Sequence, residues 1–300
     1  MELSDKIIAV GKMQKYIDTH FDQEITLEGL SRAANYSKYH ASRIFKELTG
    51  KTPFETVRSM RLTNAAQTLR DSVCKIVDIA LSSGFDSHDG FTRAFSRQFD
   101  ITPQKYSRET PAVPYFIHYP IEAYYLLKDG TKIMSEKPNS RVMTVTAVQR
   151  PARKLILVRS VHATEYFSFC EEVGCDWEGT FNSISEKFDT SALLTLPQNL
   201  VESGTGNIAF GVEVPFGYHK PIPLGCDVIE LPPCTMLYFQ GAPFDDFREA
   251  IGTLWEIMDT YDPTQYGWHY APDLAPYFNF GTTANGSAKM ARPVIPVNTI

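Results

Sequence analysis

The sequence predicts a multi-domain chain in which an all-α domain is followed by an α+β domain with a two-fold internal pseudo-repeat. Three observations lead to this prediction. The chain has 300 residues, whereas single domains usually hold about 100–200. A seventeen-residue pattern of helical periodicity occurs twice, fifty residues apart, within the first 110 residues. Beyond residue 140 the segments become rich in β-branched and aromatic residues, as strands are.

The composition is that of an ordinary globular protein, with 43% hydrophobic and 21% charged residues. No apolar run reaches the roughly 18–20 residues of a transmembrane helix, and the charged N-terminus lacks the apolar core of a signal peptide. We therefore expect a cytoplasmic protein without a membrane partner. The five cysteines form no CxxC or CxxH pair, so we expect free thiols, no metal and no cofactor.

The first copy of the repeated pattern reads SKYHASRIFKELTGKTP and spans residues 37–53. Ser37 is suited to cap the N-terminus of a helix, and Gly50 is suited to end it in a left-handed conformation. Apolar residues recur at i, i+3, i+4 and i+7, which predicts one buried stripe. The stripe consists of Ala41, Ile44, Phe45 and Leu48. The outward positions are Tyr39, His40, Ser42, Arg43 and Lys46.

A second short helix is predicted just before this one. Thr26 is suited to cap the segment LEGLSRAA, and Asn35 tolerates the left-handed geometry of a tight turn. Two short helices joined by a tight turn, the second with a polar and basic exposed face, constitute a helix-turn-helix.

The second copy reads SHDGFTRAFSRQFDITP and spans residues 87–103. The segment KIVDIALSSGF supplies a supporting helix, Gly84 the turn and Ser87 the cap. The predicted buried stripe consists of Phe91, Ala94, Phe95 and Phe99. The outward positions are His88, Asp89, Gly90, Thr92, Arg93 and Arg97.

A longer predicted helix, PFETVRSMRLTNAAQTLRDS, joins the two copies and could hold both second helices on one face. Major grooves on one face of B-DNA recur about every 34 Å, so this chain could occupy two of them as a monomer. We expect the equivalent Arg43 and Arg93 to read guanine or bind phosphate, and Lys46 and Arg97 to bind phosphates. The alternative is a packing role, as in helical repeat arrays, but arrays generally need three or more units.

Residues 2–108 resemble the AraC/XylS family of transcription regulators. The resemblance rests on LSRAANYSKYHASRIFKELTGKTPFETVRSMRLTNAAQTL and on KIVDIALSSGFDSHDGFTRAFSRQFDITPQKY. It implies a double helix-turn-helix (homeodomain-like) domain that binds double-stranded promoter DNA and contacts RNA polymerase. In this family the domain usually follows the regulatory domain, whereas here it comes first.

The second motif differs from a helix-turn-helix that binds strongly in the major groove. Asp89 places a negative charge where it repels phosphate, although a carboxylate can accept from cytosine N4. Gly90 weakens its helix by about 1 kcal/mol relative to alanine. Our hypothesis is that the first motif makes most of the base contacts and that the second mainly anchors the protein.

The helical domain is predicted to span residues 1–108, a Pro-rich linker residues 109–140 and the α+β domain residues 141–300. The linker segment contains four prolines, and its aromatic residues suggest that part of it lies against a domain. Predicted strands are RVMTVTAVQ, KLILVRS, NIAFGVEV, CTMLYFQG and PYFNFG, and the clearest helix is Phe244–Tyr261. Residues 1–110 have a net charge of +2 and residues 111–300 a net charge of −8, so the two parts are expected to have different partners.

Residues 141–300 resemble the gyrase-inhibitor-like (GyrI-like) effector-binding domain. The matching features are VTAVQRPARKLILVRS, LPPCTMLYFQGAPFDDFREAIGTLW and the final RPVIPV. The resemblance implies a two-fold α+β arrangement whose groove binds small, often cationic or aromatic molecules, with a glutamate that meets the cation. Arg292 stands near the position where that acid is expected, and Glu213 is a candidate substitute.

Aromatic residues of the second domain are candidates for the ligand pocket, since aromatic faces attract cations. Besides Glu213, the candidates are Trp177, Tyr238, Trp268, Tyr270, Tyr277 and Phe278. The alternative is that they are core residues, which we expect above all for Trp255. An acid–base pair of His269 and Glu213 would suggest a hydrolase, but no nucleophile or metal spacing supports catalysis.

These observations predict a transcription regulator that is not an enzyme, with a small-molecule effector bound by its second domain. Two alternatives stay open. The second domain binds a protein partner or no ligand, and DNA binding is then constitutive, or it hydrolyses a small molecule.

Overall fold

The computed structural model describes residues 3–128, 143–241, 254, 256–282 and 287–297. The chain divides into two compact units. The first comprises Met1–Thr110 and Phe116–Thr131, and the second comprises Pro111–Tyr115 and Lys132–Ile300. Within the described residues, no helix is both long enough and apolar enough to cross a membrane.

The first unit is entirely helical in its described part. Its helices are α1 (Leu3–Thr19), α2 (Leu27–Ala34), α3 (Lys38–Thr49), α4 (Pro53–Asp71), α5 (Ile76–Ser82), α6 (His88–Phe99), α7 (Pro103–Glu109) and α8 (Ile121–Lys128). The pairs α2–α3 and α5–α6 are the two predicted helix-turn-helix motifs, and α4 is the predicted connecting helix. The all-helical prediction for this part of the chain is confirmed.

Local sequence determines where these helices begin and turn. Thr52 and Glu55 form a capping box at the start of α4, and Pro53 occupies the first helical position. The turn of the first motif passes through Asn35 at φ 56°, and the turn of the second passes through Gly84 at φ 77°. Both residue types tolerate the left-handed region, so the two predicted turns are present.

Each motif has its own buried core. Around the first motif, the fully buried side chains come from three different helices; they include Met13, Ile17, Leu30, Ile44 and Phe45. Around the second, the ring of Phe95 packs against those of Phe91, Phe99 and Tyr106 at centroid distances of 4.7–5.7 Å. Two predicted stripe members, Leu48 and Ala94, are only half-buried.

Residues 116–128, within the predicted linker 109–140, pack on the first unit. The Gln14 amide on α1 donates from Nε2 to the carbonyl of Tyr119 at 2.7 Å, and its Oε1 accepts from the backbone N–H of Ile121 at 2.7 Å. The N–H of Phe116 donates to Thr63 Oγ1 at 2.9 Å. The five residues 111–115 belong instead to the second unit, and residues 129–140 lie outside the described residues.

The second unit contains an antiparallel sheet and helices. Its elements are β1 (Met143–Arg150), β2 (Arg153–Arg159), α9 (Tyr166–Val173), α10 (Trp177–Ser183), β3 (Ala192–Thr195), β4 (Ile208–Pro215), β5 (Asp227–Leu231), β6 (Cys234–Gly241), β7 (Trp268–Tyr270), β8 (Tyr277–Thr282) and β9 (Ala288–Pro296). In the described part, these nine strands form one sheet in the order β1-β6-β9-β8-β3-β4-β2-β5, with β7 paired to β9. All of these pairings are antiparallel.

The five predicted strands correspond to β1, β2, β4, β6 and β8. Strand β9 contains most of the final RPVIPV segment, whereas the strands β3, β5 and β7 were not predicted. Of the predicted helix Phe244–Tyr261, the structure describes helical residues 254 and 256–260. Leu254 and Met258 are buried there as expected, whereas Phe244, Phe247 and Ile251 lie outside the described residues, as does Trp255.

The two faces of the sheet carry different side chains because successive strand residues point to opposite sides. Ile156 of β2 and Phe210 of β4 pack with Phe169 of α9 and Phe181 of α10. We call this the helix face. Alternate residues form a second buried cluster on the opposite face; among them are Leu155, Leu157, Ala209, Tyr238 and Phe278.

Candidate nucleic-acid interface

Helix α3 begins at the predicted position, and most of its predicted outward side chains are exposed. The Ser37 side chain accepts a hydrogen bond from the backbone N–H of His40 at 3.3 Å, which satisfies one of the free donors at the helix N-terminus. Tyr39 is 79% exposed, although large aromatic side chains are usually buried. Arg43 and Lys46 are also exposed, and Ser42 is half-buried beside them.

His40 is held between two neighbours on this surface. Its Nδ1 lies 3.3 Å from Nη2 of Arg43, and its ring centroid lies 5.0 Å from that of Tyr36. These contacts limit the positions that the Arg43 guanidinium can occupy, because the imidazole stands on one side of it. The surface of α3 therefore presents two exposed cations, Arg43 beside the imidazole and Lys46, and one protruding aromatic ring.

Helix α6 repeats this design. The Ser87 side chain accepts from the backbone N–H of Gly90 at 3.1 Å. Both helices contain 12 residues, and in both an exposed arginine stands six residues after the capping serine, at Arg43 and at Arg93. Of the six predicted outward positions on α6, Gly90 and Thr92 are half-buried and four are exposed; the exposed ones are His88, Asp89, Arg93 and Arg97.

Two open depressions flank α6, and both have basic linings. One has a volume of about 540 Å³, and in its lining four arginines outnumber the two acidic residues Glu24 and Asp86; the arginines are Arg58, Arg61, Arg93 and Arg97. The other has a volume of about 580 Å³, and its lining includes Lys75, His88 and Arg108. Phosphate oxygens of nucleic acid are bound by such clusters of arginine and lysine.

Sequence reasoning missed Arg58, Arg61, Lys75 and Arg108 at this surface. Their signal was available in principle. Arg58 stands three residues before Arg61 and therefore on the same side of α4, and Lys75 immediately precedes the supporting helix α5.

The negative charge of Asp89 has a structural explanation within α6. Its side chain is 88% exposed and lies in the first helical turn, 3.5 Å from Nδ1 of His88. Negative charge in the first turn is stabilised by the helix dipole. The carboxylate thus favours helix formation irrespective of any contact with DNA.

The candidate ligand residues of the second unit fall into three groups rather than one cleft. Tyr238 and Phe278 belong to the cluster opposite the helix face, and Glu213 points to the same side of β4. Trp177 stacks on Phe181 of the helix face at 5.7 Å.

The third group surrounds Arg292 of β9. The guanidinium of Arg292 lies 5.5 Å from the ring centroid of Tyr270 and 5.0 Å from that of Tyr277. Trp268 and Tyr270 also pack against the buried cluster of Leu254 and Met258. A single aromatic cleft is therefore wrong, because adjacent residues such as Tyr277 and Phe278 point to opposite sides of a strand.

The carboxylate of Glu213 already has cationic partners within the protein. Glu213 is 4% exposed, and its carboxylate accepts a hydrogen bond from Nε of the fully buried Arg153. Its other oxygen lies 3.7 Å from Nε of Arg150. Since two arginines already neutralise it, the expectation that Glu213 meets a cationic ligand is corrected. The same partners exclude the suggested pairing of Glu213 with His269.

Tyr238 stays protonated at physiological pH. Burial raises the pKa of Tyr238 to about 12, even though Arg150 beside its oxygen acts in the opposite direction. Its hydroxyl accepts a hydrogen bond from Nη2 of Arg150 and keeps its own proton to donate.

The helical part of the chain is similar to known proteins. Residues 30–109 match the family model of a helix-turn-helix domain. The chain is 38% identical over 107 residues to the probable transcription factor PqrA of Proteus vulgaris, which covers 35% of this chain and 87% of PqrA. It is 38% identical over 91 residues to the regulatory protein SoxS of Escherichia coli, and the matched region covers 30% of this chain and 85% of SoxS. The chain belongs to the AraC family of helix-turn-helix transcription regulators.

Two further similarities have different coverage. The chain is 39% identical over 106 residues to the transcriptional regulator Rob of Salmonella typhimurium, which covers 35% of this chain and 37% of Rob. The match thus spans about a third of the length of that relative. The solved C-terminal domain of AraT, a response regulator from Geobacillus stearothermophilus, is 28% identical, covers 37% of this chain and 93% of its own chain, and has a TM-score of 0.32.

Proposed function

We propose that the first unit binds double-stranded DNA by inserting α3 and α6 into successive major grooves, and that the chain is thereby a transcription regulator. The observation behind this proposal is the equivalence of the two helices. Each has 12 residues, a serine cap and an exposed arginine at the same offset. A helix with such a polar, basic face fits the major groove.

The two motifs have unequal roles in this proposal. Tyr39 and Arg43 on α3 make base contacts, because both protrude from the helix surface and His40 orders the arginine. On α6, Arg93 and Arg97 line a depression together with Arg58, which favours phosphate contacts. The second motif then anchors the protein, and the first reads sequence.

We infer that the second unit is a GyrI-like domain that binds a small-molecule effector and is built from two similar halves. The strand order of the sheet supports this inference. From the centre outward, β3-β4-β2 has the same order as β8-β9-β6, and β5 and β1 lie at the two edges. In the chain, helices follow β2, and helical residues 256–260 follow β6.

The proposal includes further partners. A regulator of this family acts by contact with RNA polymerase, and we place its action in the cytoplasm. The curated relatives named above are regulators, and we propose no enzymatic activity for this chain.

The experiment for DNA binding is selection from a random duplex library with the full chain. We expect enrichment of two half-sites with a centre-to-centre spacing of about 10–10.5 base pairs, the spacing of adjacent grooves on one face. For the selected duplex, log K should fall linearly with log salt, with a slope of about −0.9 per phosphate contact. The double variant Arg43→Ala/Arg93→Ala is the control. No enriched sequence, or an affinity independent of salt, would contradict the proposal.

A further inference from the structure

A cluster of charged and aromatic side chains stands on the sheet face opposite the helices. We call it the Arg150 cluster, and its members are Arg150, Phe188, Asp189, Tyr238, Phe280 and Lys289. It is adjacent to the ion pair of Arg153 and Glu213, because Arg150 contacts both Glu213 and Asp189 at 3.7 Å.

The Arg153–Glu213 pair is closed to ligands. The side chain of Arg153 is fully buried and that of Glu213 is 3% exposed. Arg153 also donates from Nη1 to the carbonyl of Pro232 at 2.8 Å. A buried pair whose donors are satisfied in this way is part of the framework of the fold.

The charged side chains of the Arg150 cluster, in contrast, are only partly buried, and positive charges outnumber negative ones. Arg150, Asp189 and Lys289 retain 11%, 18% and 15% side-chain exposure. Lys289 donates to Oδ1 of Asp189. Together with the adjacent ion pair, three cations (Arg150, Arg153 and Lys289) therefore face two carboxylates (Asp189 and Glu213), which leaves a surplus of one positive charge. The buried Nε of Arg150 has no hydrogen-bond partner within the described residues, because Oε2 of Glu213, 3.7 Å away, is too distant for a hydrogen bond.

Aromatic rings surround this surplus charge. Lys289 Nζ lies 4.5 Å from the ring centroid of Phe280, and the Arg150 guanidinium lies 5.2 Å from that of Phe188 and 5.3 Å from that of Tyr238. Tyr238 and Phe280 stack at 5.9 Å. The protonated hydroxyl of Tyr238 adds a neutral donor beside the two cations. A positive centre with a hydrogen-bond donor between aromatic faces is complementary to an anion attached to an apolar body.

The geometry points to an effector of the opposite charge to the one that the sequence suggests: the Arg150 cluster binds the carboxylate of an aromatic or apolar acid, with Arg150 and Lys289 on the carboxylate and Tyr238 and Phe280 against the apolar body. This inference rests on the proposed effector-binding role of the second unit and names its ligand class. The net charge of −8 in residues 111–300 does not oppose it, because local charge decides which ion is bound.

The test compares two compounds with the same aromatic body, similar size and opposite charge, 1-naphthoate and 1-naphthylmethylammonium, by calorimetric titration of the full chain. We expect 1-naphthoate to bind at least about tenfold more tightly than the ammonium compound, which corresponds to one charge-assisted hydrogen bond. Lys289→Gln should weaken naphthoate binding by about tenfold. Lys220→Gln is the matched control, since Lys220 pairs with Glu186 in the same unit and outside the cluster; it should change the affinity by less than about twofold.

A variant that gains affinity distinguishes a direct effect on binding at this site from a loss of structure. Asp189→Asn removes the carboxylate that competes with the ligand, so naphthoate should bind about threefold or more tightly, an effect that misfolding cannot produce. Tighter binding of the ammonium compound would overturn the inference and leave the effector role intact. Unchanged or weaker naphthoate binding by Asp189→Asn, or no naphthoate binding by the unaltered chain, would also overturn it. The DNA-binding proposal is tested separately by the duplex selection.

Discussion

The guanidinium of Arg61 lies directly over Gly84. A Cβ atom at position 84 would stand 2.6 Å from Nη1 of Arg61, while Nη2 of the same side chain donates to the carbonyl of Gln23 at 2.9 Å. Gln23 precedes the first helix-turn-helix motif, and Gly84 is the turn of the second. One side chain on the connecting helix therefore contacts the backbone just before the first motif and the turn of the second. We infer that Arg61 fixes the spacing of helices α3 and α6.

The contact of Arg61 with Gly84 predicts an unequal response of two glycines. Gly50 and Gly84 both have φ 77°, but nothing lies within 4 Å of a Cβ at Gly50. Gly50→Ala should cost about 1–2 kcal/mol because of the left-handed backbone alone. Gly84→Ala should cost about 1 kcal/mol more, because the methyl group displaces Arg61. Urea unfolding measures both values. In an Arg61→Ala background the difference should disappear, and equal costs in the unaltered chain would contradict this reading.

Substitution of Arg43 and of Arg93 should affect DNA binding differently. Arg43→Ala should lower discrimination between the selected and altered duplexes by about 1–3 kcal/mol at one base pair, because a base contact is lost. Arg93→Ala should weaken all duplexes alike and reduce the salt slope by about one, because a phosphate contact is lost. Fluorescence anisotropy across a salt series measures both quantities.

Arg32→Ala is the matched control for these two variants. Arg32 is 81% exposed on the supporting helix α2, where it pairs with Glu28, and its loss should leave both quantities unchanged. If Arg93→Ala relaxed sequence preference more than Arg43→Ala, the assignment of readout to the first motif would be wrong.

Gly179 should not tolerate alanine although it lies in helix α10. Helix propensity alone favours alanine by about 1 kcal/mol. A Cβ at Gly179 would, however, overlap the backbone carbonyl oxygen of Tyr115, and a backbone atom cannot rotate away. We therefore expect Gly179→Ala to destabilise the chain by at least about 2 kcal/mol, as measured by thermal unfolding.

The control for Gly179 is Gly217→Ala, since nothing lies within 4 Å of a Cβ at Gly217. This variant should leave the free energy of unfolding nearly unchanged. A stabilised Gly179→Ala variant would show that the segment 111–115 does not pack against α10.

The cysteines should differ widely in reactivity. Burial raises the pKa of the Cys226 thiol to about 12, with a smaller contribution from Asp227, so little reactive thiolate exists at pH 8. Cys74 is exposed and free. Iodoacetamide at pH 8 should alkylate Cys74 at least about tenfold faster than Cys226, as measured by peptide mass spectrometry. In denaturant the two rates should converge, and a persisting difference would exclude burial as its cause.

The helical part of the fold is predictable because its signals are local. Ser37, Asn35 and Gly84 act within a few residues of their own positions, and the apolar stripe of α3 follows from its spacing alone. The sheet is less predictable. Strands β3 and β5 have only four and five residues, too few to show alternation.

The charge network of the second unit could not be predicted from sequence. From the sequence, Glu213 is expected to be a free acid in a ligand pocket. In the structure its carboxylate is paired with Arg153, which stands sixty residues earlier in the chain. Pairing across sheet neighbours depends on strand order, which a single sequence does not reveal. The same limit explains why seven candidate ligand residues separate into three groups.

The hydrogen bonds between Gln14 and the segment at Tyr119 and Ile121 bear on how the DNA-binding part can be isolated. Gln14 is 5% exposed, and both ends of its amide are hydrogen-bonded to this segment. A fragment cut at residue 109, where the family match ends, would leave the Gln14 amide without these partners and would remove Ile121 from the core of the first motif. A fragment that extends to residue 128 retains both hydrogen bonds, so the natural excision point lies about twenty residues beyond the last recognisable motif.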